Sequence, residues 1–91
     1  MSRLSGQLRE YTYNPGSMDD QSFKATDLTF PGAKLGDFVW VSVDIDNQDA
    51  SVSANVTSEN NVALLFVNNT GGAIDFGTMT VRIKVIPFDH I

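Results

Sequence analysis

The chain reads as an all-β protein: a small antiparallel β-sandwich or flattened, jelly-roll-like barrel with an N-terminal arm. Three observations predict this. Apolar residues recur at every second position in several short stretches, turn residues separate those stretches at close spacing, and no stretch of useful length carries helical periodicity. Such a pattern suits two packed layers of strands around one core.

The organising stretch runs from Asn60 to Ile86, where two strands flank a Gly-rich bend. Val62, Leu64 and Phe66 share one phase of the first strand, and Met79, Val81, Ile83 and Val85 share one phase of the second. The alternate phases differ. Thr80, Arg82 and Lys84 suit water or a partner, whereas Ala63, Leu65 and Val67 suit a second covered surface.

In chain order, residues 1–20 are assigned to the arm and residues 21–91 to a single domain. Within the arm, Leu8 to Tyr13 can form a short strand, and Asn14-Pro15-Gly16 reads as a turn. The arm is expected to reach a neighbour through Leu4, Leu8, Tyr11 and Tyr13, since tyrosine joins a large apolar area to a polar tip. The competing reading is an edge strand folded on its own sandwich or a frayed terminus.

Residues 22–30 form an imperfect strand, with Phe23 and Ala25 in one phase, Leu28 and Phe30 in the other, and a bulge expected near Thr26 and Asp27. Pro31-Gly32 ends it. Residues 37–45 are rich in β-branched and aromatic residues; Val39, Val41, Val43 and Ile45 line one face, and Phe38 and Trp40 begin the other. This segment is the expected central strand. Residues 51–58 alternate cleanly and pair as a hairpin with the strand from residue 61, because Asn60 and Asn61 tolerate the positive φ of a tight reversal. Thr70-Gly71-Gly72 turns the chain again, residues 73–76 are expected as a short edge segment, and Pro87 ends the last strand because it cannot donate to a ladder.

Composition narrows the function. One domain of 91 residues buries only roughly 60 to 65% of the surface its unfolded chain exposes, so support from disulfides, a metal or oligomerisation is to be expected. With no cysteine and one histidine, His90, disulfides are excluded and a structural zinc site has no ligand set. Association is the remaining route. A net charge of −5, with six scattered basic residues, argues against nucleic-acid binding. No apolar run approaches a membrane span, and without a signal-peptide pattern the mature chain is expected to begin near Met1 after cytoplasmic synthesis.

Local motifs add no chemistry. Asp44, Asp46, Asn47 and Asp49 could attract calcium, but the positions where a calcium loop needs glycine and glutamate hold Asp49 and Asn55, so a solvated turn is the better reading. Asn55-Val56-Thr57 and Asn68-Asn69-Thr70 match the glycosylation pattern and read instead as ordinary solvent-face and turn residues. A Ser-His-Asp set would depend on His90, one residue from the end. No catalytic residues, cofactor or metal site are assigned, and the chain is read as a non-enzyme. Trp40, Phe66, Phe76 and Phe88 could line a sugar groove, but aromatics on such strands commonly fill the core.

The runs Pro31-Gly32-Ala33, Leu35-Gly36-Asp37 and VWVSVD, followed by Val52-Ser53-Ala54-Asn55-Val56 and Ser58-Glu59-Asn60-Asn61-Val62, resemble a β module of tailed-bacteriophage structural proteins. Asn68-Asn69-Thr70-Gly71, Ala73-Ile74-Asp75, Gly77-Thr78 and Val81-Arg82-Ile83 resemble the ending of those modules, so that the resemblance covers about residues 25 to 87. It implies a virion structural protein that acts as a homotrimer. Since only a short arm precedes the module, the resemblance points to a capsid decoration, or cement, protein whose partner is the major capsid protein at the capsid surface. The alternative is a trimeric fibre-tip module that adheres to a host surface glycan.

Overall fold

The computed structural model describes residues 7–46 and 48–88. The strands are β1 (Gln7–Tyr13), β2 (Ser17–Met18), β3 (Ser22–Thr29), β4 (Phe38–Val43), β5 (Ser51–Ser58), β6 (Asn61–Asn68), β7 (Ile74–Asp75) and β8 (Met79–Ile86). Two three-stranded antiparallel sheets, ordered β1-β8-β4 and β3-β6-β5, form a sandwich, and β2 pairs with β7 as a short separate ribbon.

The two strands of the organising stretch become the two central strands, one in each sheet. Every second residue of each is buried: Val62, Leu64, Phe66 and Asn68 on β6, and Met79, Val81, Ile83 and Val85 on β8. These two rows make the centre of the core, and Met18, Phe30, Val56, Ile74 and Phe76 fill its ends and sides. Phe66 lies between Tyr13 and Phe76, with ring centroids 5.7 and 5.6 Å away. A fully buried Leu or Phe side chain contributes about 1.5–3 kcal/mol, so this central row supplies much of what opposes chain entropy.

The edges are treated differently on the two sides. β4 and β5 contain no charged residue and run close to one another across the sandwich, which shields them. β1 carries Arg9 and Glu10, and β3 carries Lys24 and Asp27, charges that discourage pairing with stray strands. Side chains link that second pair of edges. The Tyr11 hydroxyl donates to the Thr29 carbonyl at 2.6 Å, and the Arg9 guanidinium sits 5.6 Å from the centroid of the Phe30 ring.

The hairpin expected over residues 51–68 is present as β5 and β6, with Asn60 at φ 66°. Asn60 also ties the chain between β3 and β4 to the hairpin tip. Its N–H donates to the Ala33 carbonyl, its carbonyl accepts from Phe30 N, and its side-chain oxygen accepts from Gly32 N. Gly36, at φ 93°, lies under the Phe88 ring, where an added Cβ would stand 3.5 Å from that ring. Beside it the buried Asp37 carboxylate accepts from the N–H groups of Lys34 and Phe88 at 3.0 and 3.1 Å, joining the entry of β4 to the exit of β8.

Three expectations are corrected. Residues 38–43 form an edge strand, because β8 has the longer alternating apolar row and takes both β1 and β4 as neighbours; Phe38 and Trp40 are left exposed. β3 has no bulge and pairs with β6 in unbroken register from Ser22 to Thr29, with Phe23 turned outward; the irregularity lies in β5, between Val56 and Ser58. Asn68 is a buried structural residue, not a solvent-face one.

The Asn68 side chain closes one end of the sandwich. Its two amide hydrogens serve three carbonyls, those of Met18, Asp19 and Gly72, at 3.0, 3.2 and 2.9 Å. Its oxygen accepts from Thr70 N and the Thr70 hydroxyl, at 3.2 and 2.8 Å. Removing it strands several polar groups at once. Asn68→Ala is therefore expected to destabilise the fold by about 3 kcal/mol, the upper part of the range for unsatisfied buried groups, read as a lower urea midpoint with an unchanged m-value.

Tyr11 provides a second test. Burial pushes its phenol above the ordinary pKa of 10.0, with Arg9 partly opposing the shift. The folded chain holds this proton more tightly than the unfolded one, so the contribution is fully present below the ordinary pKa and is lost as pH rises through the raised one. Tyr11→Phe should cost about 0.5–1.5 kcal/mol near neutrality and flatten the loss of stability in alkali, measured by urea unfolding across a pH series.

Candidate interaction site

Alternation turns the odd residues of β1, β8 and β4 toward the core side of their sheet and the even residues to its outer face. Register then sets those outer residues in rows. Leu8, Lys84 and Trp40 lie side by side across the three strands, with Ile86 and Phe38 in the next row. Leu8 is 60% exposed, Trp40 63% and Phe38 49%. Leu35 and Phe88, also exposed, lie in the segments that enter β4 and leave β8. This is an apolar end of the sheet with one cation in it.

The other end of the same face is polar. Arg82 and Glu10 are cross-strand neighbours joined by an ion pair of 2.8 Å, with Ser42 beside them. Thr12 and Thr80 follow, and the Asp44 carboxylate accepts from Thr80 N at 2.8 Å. Among the described residues Lys84 has no ionic partner.

The outer face of β3-β6-β5 holds a second apolar area. Its rows are Phe23–Val67–Ser51, Ala25–Leu65–Ser53 and Asp27–Ala63–Asn55. Phe23 is 69% exposed. Between Phe23, Leu65, Val67, Gln21 and Asn69 lies an open groove of about 480 Å³. Small Ser side chains on β5 leave the groove unobstructed on that side.

The residues singled out in the sequence are distributed as follows. Leu4 and His90 lie outside the described residues. Leu8 belongs to the exposed apolar end. Tyr11 and Tyr13 project into their own sandwich, because odd positions of β1 face the core: one bonds to Thr29 and the other stacks on Phe66. Phe66 and Phe76 are core residues, whereas Trp40 and Phe88 are exposed, so those four form no common platform. Residues 7–13 of the expected arm are the edge strand β1. In the acidic loop, Asp44 bonds to Thr80 and Asp46 accepts from Gln48 N at 2.9 Å; Asn47 lies outside the described residues. Among the described residues no three His, Cys, Asp or Glu side chains converge as metal ligands.

The sequence does carry a signal for these faces. Phe38 and Trp40 share a phase with Ser42 and Asp44, and Phe23 shares one with Asp27, so each large apolar residue sits in the phase its strand reserves for solvent. Burying such a Phe or Leu against a partner contributes about 1.5–3 kcal/mol, before the costs of association. Comparison with known proteins returns no match: no family model, curated protein or solved structure is similar enough to count as a relative.

Trp40 is the chain's single tryptophan, so its fluorescence reports on this face alone. In dilute solution its emission should lie at the long wavelength of a hydrated indole and be quenched efficiently by acrylamide. A blue-shifted, protected emission from the monomer would contradict the exposed placement.

Proposed function

We propose that the chain is a virion structural protein: a capsid decoration protein that binds the head of a tailed phage as a trimer and stabilises it. The observation that carries an assembly role is the exposed apolar end of the β1-β8-β4 sheet, where Leu8, Phe38 and Trp40 stand on the two strands that flank β8. Exposed apolar patches of this kind mark sites of association. The resemblance to phage modules supplies the kind of assembly, with the major capsid protein as partner.

The physical logic suits a small domain. Binding to a preformed lattice stabilises the folded chain by mass action, and many copies each add a modest increment to the shell. The acidic balance of the chain would keep decorated particles apart. A second reading, the fibre-tip module, is favoured by the groove beside Phe23, where one aromatic ring and the amides of Gln21 and Asn69 offer the mixed surface that sugars use.

The test is to mix the purified chain with capsids lacking it, sediment them and count copies per major capsid subunit. Saturable binding at a fixed ratio, weakened by Trp40→Gln, is the expected result. Absence of binding would overturn the decoration role, and binding to host glycans in its place would favour the fibre tip.

A further inference from the structure

The outer face of β3-β6-β5 sorts its side chains by strand. β6 supplies an apolar floor, with Leu65 and Val67 half-buried, and β3 sets the exposed Phe23 ring beside Val67. On the far side of the floor, register places Ser51 against Val67 and Ser53 against Leu65, so β5 borders it with two exposed hydroxyls. Where β6 ends, Gln21 and Asn69 bring two carboxamides to the groove of about 480 Å³. An apolar floor thus has polar groups on two of its sides.

Those four polar side chains are available to a ligand. The Asn68 amide is consumed inside the fold, and the Ser22 hydroxyl donates to the Asp19 carbonyl. Gln21, Asn69, Ser51 and Ser53, by contrast, make no side-chain hydrogen bond to another described residue. Gln21 also stands at φ 64°, in the left-handed region that glycine or asparagine adopts more easily. A glycine would hold this turn without strain, yet the chain carries a carboxamide there.

Charge then selects the ligand. The residues lining the groove are all uncharged. Asp27 shares its face, Lys24 belongs to the opposite phase of β3, and the Asp20 carboxylate already accepts from Gly71 N at 2.9 Å. An anionic ligand would give up hydration on entering and meet no cation in the lining. A neutral molecule with one apolar face and a rim of hydroxyls fits both the floor and its borders.

We infer that the groove binds a neutral sugar, one pyranose ring lying with its C–H face on Val67 and Leu65 against the Phe23 ring, and its hydroxyls toward Gln21, Asn69, Ser51 and Ser53. The space is of the size that small-ligand sites use, about 300–1,000 Å³. The inference rests on the second reading above in that it gives that reading's groove a ligand class. It holds equally for a decoration protein, because Trp40 stands on the other sheet and the groove stays open when the Trp40 face is covered. Its test uses the purified chain and free sugars, so capsid binding or cell adhesion can fail without deciding it.

The test is a titration of the isotope-labelled chain followed by amide NMR, with N-acetylglucosamine, galactose and glucose as neutral probes and N-acetylneuraminic acid as the anionic one. At least one neutral sugar should move the side-chain amides of Gln21 and Asn69 and the backbone amides of Phe23 and Val67, with a dissociation constant on the order of 1 mM. The anionic sugar should bind about tenfold or more weakly. Phe23→Ala and Gln21→Gly should each weaken binding about tenfold. Both should keep the wild-type circular dichroism spectrum, since Phe23 is mostly exposed and glycine suits the φ of residue 21. No response at the groove to any of the three neutral sugars, equal binding of the anionic one, shifts confined to the Trp40 face, or variants that bind like the wild type would each overturn the inference.

Discussion

The carboxamide of Asn68 is the constraint on which the closed end of the sandwich depends. It terminates the central strand β6 at a point where it gathers three carbonyls, from the β2 region and the bend after β6, of which the Met18 carbonyl is the buried one. A buried polar group of this kind is costly unless its partners are complete, and here both its donor and acceptor sides are used. Met18 and Ile74 can be buried beneath the β2-β7 ribbon because that ribbon is tied to β6. The groove beside Phe23 is set by the backbone of the same residue, since Gln21 N donates to the Asn68 main-chain carbonyl at 2.7 Å and starts β3 at that height.

From that end the rest of the sandwich is placed by alternation. β6 and β8 present continuous apolar rows to one another, and the strands beside them complete each sheet. Side chains link the two layers at the open side, where Tyr11 and Arg9 of β1 reach Thr29 and Phe30. The same parity that sends Tyr11 and Tyr13 inward sends Leu8 outward. An interior that satisfies itself this fully leaves the remaining large apolar residues on the two outer faces. A domain this small has little core to spare, yet Leu8, Phe23, Phe38 and Trp40 stay outside it.

Much of the architecture was legible before any coordinates. The hairpin over residues 51–68, the turn chemistry of Asn60 and Gly71, and the core phase of residues 79–85 follow from period-two alternation and from residues that tolerate positive φ. The place of residues 38–43 in the sheet was not legible, because a β-rich strand with aromatics on its second face reads as doubly covered whether that cover is its own chain or another. The outward turn of Phe23 was hidden for a related reason: its phase competes with that of Leu28 and Phe30, and only pairing with β6 decides between them. The candidate site was half visible. Leu8 was legible as an apolar residue in a polar stretch, and it stands exposed, but its neighbours Trp40 and Phe38 come from a strand about thirty residues away in sequence and meet it only through β8.

The sequence by itself determined the class of the fold, the turns and which phase of each long strand is apolar, because these depend on local sterics and on side-chain alternation. It also determined that no disulfide can form within the chain, since it holds no cysteine. Tertiary structure alone decided which strands lie at the centre, that the Asn68 amide belongs inside, and that two unlike apolar surfaces stand on opposite faces. Those outcomes depend on long-range pairing between strands, and register across a sheet is the physical quantity that alternation along one strand does not contain.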